Sequence, residues 1–144
     1  MKIEFELKDI NIITENILEK IEKLRSPNKA TVLLFYGDLG AGKTTISKTL
    51  AKKLGVREKV LSPTFVIMKK YKTKHKYFKN LIHIDAYRLE KGEELIKLGF
   101  KDWVLEEDNL IIIEWPENVS NILNNKFLKI FLKHKDDKTR LIEF

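Results

Sequence analysis

The chain has 144 residues, of which 28 are Lys or Arg and 21 are Asp or Glu, so its formal net charge is +7. That length supports one sizeable core, and we expect residues 1–144 to form a single domain. Cysteine is absent, which excludes disulfides, thiol chemistry and cysteine-ligated metal sites. The positive charge is typical of proteins that bind polyanions or phosphate-rich ligands, but a lysine-rich composition alone would also produce it.

The first elements follow from hydrophobic periodicity. Residues 2–7 alternate between apolar and polar types, which predicts a half-exposed strand. Asp9 or Asn11 suits the start of a helix that runs to about residue 25. Residues at helical spacing predict its buried side: Ile13, Ile17, Ile21 and Leu24. Residues 31–36 then form a short apolar run, which predicts a buried strand.

The next segment, residues 37–44, reads Gly-Asp-Leu-Gly-Ala-Gly-Lys-Thr and matches the phosphate-binding loop pattern G-x-x-x-x-G-K-[ST]. A predicted strand precedes it, and a helix from Lys43 to about Leu54 follows it, which is the context that the pattern requires. In such a loop, backbone N–H groups bind phosphate oxygens. Lys43 would contact the β and γ phosphates, and the Thr44 hydroxyl would ligate Mg²⁺. The sequence therefore predicts a nucleoside triphosphate site.

The rest of the chain is a mixture of short strands and helices. We predict strands at 65–71 and 81–87, a helix at 93–98, a helical turn at 103–107, a central strand at 110–113, a helix from 116 to about 123, and a hairpin of 126–134 with 139–144. An α/β centre with antiparallel additions indicates an α/β protein, a three-layer sandwich of the P-loop NTPase type with a mixed, partly antiparallel sheet.

Two apolar strands end in acidic residues, Asp85 and Glu114. A P-loop enzyme needs an acid at the end of a strand beside the loop to hold Mg²⁺ or its water shell. A carboxylate at such a strand end is costly to desolvate unless it faces a cation or a polar crevice. Either residue alone could simply begin a turn or cap a helix, but both are candidates for the metal site.

Other polar features allow two interpretations each. Thr64, in the Ser-Pro-Thr-Phe segment 62–65, lies where GTPases and related enzymes have a threonine that senses the γ-phosphate, although the spacing alone favours a plain turn before a strand. Residues 69–79 contain six lysines and three aromatic residues, which fits either an RNA-binding hairpin tip or a solvated loop. His75 in that loop is expected to be exposed, and His83 to be a packed sheet histidine.

Four motifs occur together in order: residues 37–45, residues 62–65, His-x-Asp-x-Tyr-Arg-Leu at 83–89, and Glu-Trp-Pro-Glu at 114–117. This set resembles the TsaE (formerly YjeE) family, the bacterial ATPase of tRNA threonylcarbamoyladenosine synthesis. The resemblance implies a protein that binds ATP with Mg²⁺ and hydrolyses it weakly alone. It also implies action with the partner proteins TsaD and TsaB, so that tRNA is reached through the assembly. Separately, no apolar leader and no stretch of membrane-spanning length occurs in the sequence, so we expect a soluble, cytoplasmic protein.

The resemblance assigns further roles by motif. It implies catalytic roles for Lys43, Asp85, Glu114 and the switch-like Thr64, and a Mg²⁺ site at Thr44 and Glu114. Thr14 in the first helix is the best match to a threonine that touches the nucleotide. The implied nucleotide-binding residues are Thr14, Asp38, Leu39, Gly40, Ala41, Gly42, Lys43, Thr44, Thr45 and Asp85.

Three other functions share parts of this pattern. A small-molecule P-loop kinase has the same loop, but usually carries a lid and an acceptor-binding segment for which this chain leaves little room. A GTPase-like switch usually contains Asn-Lys-x-Asp, whereas Asn28-Lys29-Ala30-Thr31 lacks the aspartate and precedes the loop. An ATP-gated interaction module merges with the family function, because hydrolysis there serves the assembly.

Overall fold

The computed structural model describes residues 1–60 and 66–144, which contain seven strands and four α-helices. The strands are β1 (Lys2–Glu6), β2 (Thr31–Tyr36), β3 (Met68–Lys72), β4 (Asn80–Asp85), β5 (Asn109–Glu114), β6 (Leu128–His134) and β7 (Thr139–Glu143). The α-helices are α1 (Ile10–Lys23), α2 (Lys43–Lys53), α3 (Glu93–Leu98) and α4 (Phe100–Trp103), and 3-10 helices cover Leu7–Asp9 and Pro116–Ile122.

All seven strands belong to one sheet in the order β1-β7-β6-β2-β5-β4-β3. The four central strands run parallel, since β2 pairs in parallel with β5 and β6, and β4 with β5. Antiparallel pairs extend both edges: β6 with β7, β7 with β1, and β3 with β4. The predicted mixed, partly antiparallel sheet is confirmed.

The central strands are apolar throughout because both of their faces are covered. In β2, Leu33 and Phe35 pack toward one core cluster, while Val32 and Leu34 pack toward the other. Helices α1 and α2 cover the first face, and α3, α4 and Pro116–Ile122 cover the second. The architecture is therefore the predicted three-layer α/β sandwich.

Several details differ from the sequence prediction. The strand predicted at 81–87 covers Asn80–Asp85, and the helix predicted from 116 to about 123 is a 3-10 helix over Pro116–Ile122. Leu24 is 52% exposed, because α1 ends at Lys23 and its apolar side does not extend to that residue. The helical turn predicted at 103–107 lies earlier, at Phe100–Trp103, where left-handed Gly99 (φ 115°) ends α3 and starts α4. The strand predicted at 65–71 covers Met68–Lys72, and residues 62–65 lie outside the described part of the chain.

Candidate functional site: a phosphate-binding loop beside a buried carboxylate

The loop between β2 and α2 is shaped by glycines. Gly42 immediately precedes α2 with φ 109°, a conformation that strains any residue with a side chain. A Cβ at Gly37 would lie 2.6 Å from the carbonyl oxygen of Leu132 in β6, so no side chain fits there. The glycines of the motif thus let the backbone turn tightly against β6 and present the start of α2 at the carboxyl ends of the parallel strands.

Lys43 is the first residue of α2, and its side chain folds back over the loop. Its ammonium donates a hydrogen bond to the Gly37 carbonyl and lies 3.6 Å from the centre of the Trp115 ring. Burial lowers the pKa of Lys43, while the nearby carboxylates, Glu114 first among them, oppose that shift. A cation held this way in a partly desolvated site interacts strongly with an anion that enters it.

Trp115 itself adopts a left-handed conformation (φ 58°, ψ 47°), which is unusual for an aromatic residue. Its ring also contacts Tyr87, with the ring centres 5.0 Å apart. Strain of this kind costs about 1–3 kcal/mol and is typical of functional sites. The turn sends the chain from the end of β5 across the mouth of the loop, which places the ring over Lys43.

Glu114 ends β5 and is 2% exposed. Its Oε2 accepts a hydrogen bond from the Thr44 hydroxyl at 3.0 Å. Its Oε1 lies 2.8 Å from His83 Nε2 and 3.3 Å from the Ser47 hydroxyl. This carboxylate therefore contacts residues of both α2 and β4. Its hydrogen bond with Thr44 connects the two residues that the sequence analysis assigned to the Mg²⁺ site.

Asp85 ends β4 and is the register partner of Glu114 in the adjacent strand, so both acids stand at one edge of the sheet. It is 5% exposed, and its Oδ1 accepts a hydrogen bond from the backbone N–H of Tyr87 at 3.0 Å. Parallel pairing between β4 and β5 explains the proximity, because it brings equivalent strand ends together.

A cavity of about 230 Å³ joins these groups. Most predicted site residues line it: Leu39, Gly40, Gly42, Lys43, Thr44, Thr45, Asp85 and Glu114. Trp115 and Arg140 complete the lining. Arg140 Nε is buried and lacks a hydrogen-bond partner in the described chain, so this guanidinium has donor capacity left. Arg140 follows the β6–β7 turn, and no signal in the sequence connects it with the loop a hundred residues earlier.

Among the described residues, three predicted site residues do not line the cavity: Asp38, Ala41 and Thr14. Asp38 and Ala41 belong to the loop, where the Asp38 carbonyl accepts the Ala41 N–H at 3.0 Å. Thr14 is fully buried in α1, and its hydroxyl donates to the carbonyls of that helix, at 2.9 Å to Ile10 and 3.0 Å to Asn11. Thr64 lies outside the described residues. Their roles stay predictions.

Both His75 and His83 make side-chain contacts that the sequence did not predict. His83 is a packed sheet histidine as predicted, but it also reaches the Glu114 carboxylate. His75 is not freely exposed: its side chain is 11% exposed, and its Nε2 lies 2.9 Å from Glu22 in α1. The loop residues around it fold back on the protein, and Phe78 is buried. The lysines at 69, 70, 72, 74, 76 and 79 are exposed.

Comparison with known proteins decides the family. The family model described as "Threonylcarbamoyl adenosine biosynthesis protein TsaE" matches residues 10–142. The chain belongs to the TsaE family. The "tRNA threonylcarbamoyladenosine biosynthesis protein TsaE" of Rickettsia typhi is 35% identical over 89% of this chain and 85% of its own. The protein of that name from Bacillus subtilis is 37% identical over 78% of this chain and 68% of its own.

A solved structure agrees with this assignment. The crystal structure of Bacillus subtilis YdiB covers 99% of this chain and 83% of its own with a TM-score of 0.70 and 26% identity. The membership confirms the resemblance drawn from the four motifs, including those on which the cavity is built. Among the helices of the described residues, none is long and apolar enough to cross a membrane.

Proposed function

We propose that this TsaE-family chain is a Mg²⁺-dependent ATPase of tRNA N6-threonylcarbamoyladenosine synthesis, acting in the cytoplasm with TsaD and TsaB. The observation that carries the proposal is the 3.0 Å hydrogen bond between Thr44 of the loop and Glu114 of β5. It connects the phosphate-binding loop with a buried acid beside it, and Mg²⁺–nucleotide chemistry requires both parts. The family name supports the pathway.

The loop fits a triphosphate. Its glycines expose backbone N–H groups at the start of α2, where the helix dipole also favours negative charge. Lys43 and Arg140 add two cations to the cavity lining. Arg140 Nε, buried without a partner in the described chain, is free to donate to a phosphate or to the nucleoside. Thr45, the next residue of α2, also lines the cavity and would add a hydroxyl to the nucleotide site.

The residues also fit Mg²⁺. Thr44 and Glu114 offer a hydroxyl and a carboxylate oxygen, which are ligands of the type that Mg²⁺ prefers, and Mg²⁺ usually takes few protein ligands beside the phosphates. Bound there, the ion would neutralise charge on the β and γ phosphates. Asp85, the register partner of Glu114, is the second acid at this edge and would hold a water molecule near the phosphates.

This chain's own contribution to hydrolysis is positioning and charge. Lys43 exchanges its contact with the Gly37 carbonyl for the phosphates, where its positive charge stabilises the negative charge of the transition state. In the described part of the chain, the acids that line the cavity are the two at the strand ends, Asp85 and Glu114. We therefore expect slow hydrolysis alone and faster turnover when TsaD and TsaB complete the site.

The test is phosphate release from ATP by the purified chain, with and without TsaD and TsaB from the same organism. Lys43→Ala is compared with Lys48→Ala, which changes an exposed lysine of the same helix. We expect slow Mg²⁺-dependent activity that rises with the partners, is lost in Lys43→Ala and persists in Lys48→Ala. Activity indifferent to the partners, a preference for GTP, or phosphate on a small metabolite would contradict the proposal, and the last result would indicate a kinase.

A further inference from the structure

His83 is enclosed in the core next to the site. Its side chain is 1% exposed, and its Nε2 lies 2.8 Å from Glu114 Oε1. Its other ring nitrogen, Nδ1, is buried and has no hydrogen-bond partner in the described chain. A side chain kept only for packing would be apolar at this position, because a buried polar atom without a partner is destabilising. Within the described chain, the polar contact that this side chain makes is therefore the one at Nε2.

His83 is also the principal donor to Glu114 Oε1. Ser47 is the other side chain near that oxygen, at 3.3 Å, but its hydroxyl carries a single hydrogen. The same hydroxyl lies closer to the Lys43 carbonyl of its own helix, at 3.0 Å. Both the Lys43 carbonyl and Glu114 Oε1 can only accept, and the carbonyl is the nearer of the two, so the Ser47 hydrogen is directed mainly to the helix. Nε2–H of His83, at 2.8 Å, is then the main donor to Oε1.

We propose that His83 is a positioning residue that orients the Glu114 carboxylate for Mg²⁺, an inference that rests on the ATPase function proposed above. Glutamate has several rotatable bonds, so its carboxylate needs more than one contact to hold one orientation. His83 fixes Oε1 from β4, which leaves Oε2 toward Thr44 and the cavity. Partners that orient metal ligands in this way contribute about 10–100-fold to metal affinity.

The pairing of the strands in the sheet brings His83 close to Glu114. In the parallel pairing of β4 with β5, His83 is opposite Ile112, and Asp85 is opposite Glu114. Side chains two residues apart on a strand share a face, so His83 stands diagonally behind Glu114 on the face covered by α2. The same alternation places Asp85 in front, at the cavity. One strand thus supplies both an acid for the site and the side chain that holds its neighbour's acid.

Three substitutions separate orientation from packing. His83→Gln keeps a donor N–H near the position of Nε2, whereas the amide of His83→Asn is too short to reach Oε1. His83→Leu fills the space without a donor. The measurement is the dissociation constant of a fluorescent ATP analogue at increasing Mg²⁺ and again in EDTA, together with the melting temperature of each variant.

We expect Mg²⁺ to raise the nucleotide affinity of wild type and His83→Gln by the same factor, within about threefold. His83→Leu and His83→Asn should need at least about tenfold more Mg²⁺ to reach the same gain in affinity. Affinity in EDTA should be equal in all four proteins. If wild type responds to Mg²⁺ and His83→Leu and His83→Asn respond equally, the inference is wrong although the proposed function stands. Equal loss with and without Mg²⁺, or failure of His83→Gln, would also overturn it. If wild type itself ignores Mg²⁺, the proposed function fails first.

Should His83→Leu not fold, His83→Asn and His83→Gln still decide the question, because both are polar amides that differ mainly in reach. Asn118→Gln serves as a matched control outside the site. Asn118 lies in the 3-10 helix after Trp115, and its amide donates to backbone carbonyls of Ala86 and Tyr87. Its substitution should leave the Mg²⁺ dependence unchanged.

Discussion

Strands β4 and β5 carry polar pairs at both ends, and the two pairs differ in kind. At the amino ends, Asn80 is opposite Asn109, and its amide donates to the Asn109 side-chain oxygen at 3.0 Å. Asn109 in turn donates to the Trp103 carbonyl at 3.0 Å. At the carboxyl ends, Asp85 is opposite Glu114. One pair is neutral and its amides bond each other, while the other brings two acids together beside the loop.

Unused hydrogen-bonding capacity distinguishes the two ends more sharply than cavity size. The buried side-chain atoms without partners in the described chain, His83 Nδ1 and Arg140 Nε, both belong to residues around the acidic pair. A larger cavity, about 470 Å³, lies toward the amino end, and two of the cations that line it, Arg25 and Lys76, lie over the Tyr77 ring. There, Arg25 lies over the Tyr77 ring at 3.4 Å and donates to the Glu22 carbonyl. Polar groups that hydrogen-bond each other contribute to the stability of the fold. Buried polar groups that have no protein partner are available to bind a ligand.

The largest effect should come from Lys43→Ala at the acidic end. Loss of a cation that stabilises the transition state is expected to lower ATP hydrolysis by about 100-fold or more. The free energy of unfolding should change little, since burial already disfavours the charged form of Lys43. Phosphate-release assays measure the rate of hydrolysis, and urea denaturation measures the free energy of unfolding. If stability fell while activity persisted, the two ends of the sheet would not differ as described.

Glu114→Gln should come next, with hydrolysis lowered by about 100-fold, because it removes the charge that faces the cation while keeping the shape of the side chain. The Mg²⁺ concentration for half-maximal activity should rise as well. Glu143→Gln, which changes an exposed acid at the end of β7, is the control and should behave as wild type. An unchanged Mg²⁺ requirement in Glu114→Gln would exclude this carboxylate from the metal site.

Asn109→Ala tests the neutral pair at the opposite end. It leaves the buried Asn80 amide and the Trp103 carbonyl without their partner, so the free energy of unfolding should fall by about 1–3 kcal/mol. ATP affinity should stay within error of wild type. Asn11→Ala, an exposed amide on α1, controls for loss of an asparagine. Weaker ATP binding in Asn109→Ala would show that the amino end also contributes to the site.

Arg140→Gln should weaken ATP binding by about tenfold or more, because hydrogen bonds to charged groups contribute about 1.5–3 kcal/mol. The matched control is Lys133→Gln, an exposed cation on β6 that does not line the cavity. Calorimetric titration with ATP measures both. Equal affinities for the two variants would mean that the unpaired guanidinium nitrogen has no part in nucleotide binding.

The smallest effect concerns Asp136 in the β6–β7 turn, a carboxylate that is satisfied by backbone groups. It accepts the N–H groups of Lys138 at 2.9 Å and Thr139 at 2.7 Å, and these bonds lower the pKa of Asp136 below its ordinary value of 3.8. Its stabilisation is therefore present above that value and is lost as the pH falls through the lowered pKa.

The variant to compare is Asp136→Ala. Its melting temperature should be slightly below that of wild type at pH 7, and the gap should close as the pH falls below 3.8. Asp137→Ala, the exposed neighbour, should show no such dependence. A gap that widened toward acid would contradict the assignment of the two backbone bonds to the ionised carboxylate.

Local sequence patterns were sufficient to predict most of the fold. The continuous apolar runs of β2 and β5, the alternation in β1 and in the final hairpin, and the glycine that ends α3 are each written within a few neighbouring residues. Leu24 and the turn at 103–107 were misplaced because helix ends depend on caps and on packing partners far away in the chain. The site was predictable where it follows the loop motif or a strand end, as for Lys43, Thr44, Asp85 and Glu114.

What the sequence determined by itself is the loop, its flanking strand and helix, and the two acids at apolar strand ends, because each is fixed by local backbone preference and hydrophobic pattern. Only the tertiary structure shows that Arg140 lines the cavity, that the Trp115 ring contacts Lys43, and that His83 contacts the Glu114 carboxylate. These contacts depend on strand order and register, and those come from the packing of the whole sheet rather than from any one segment.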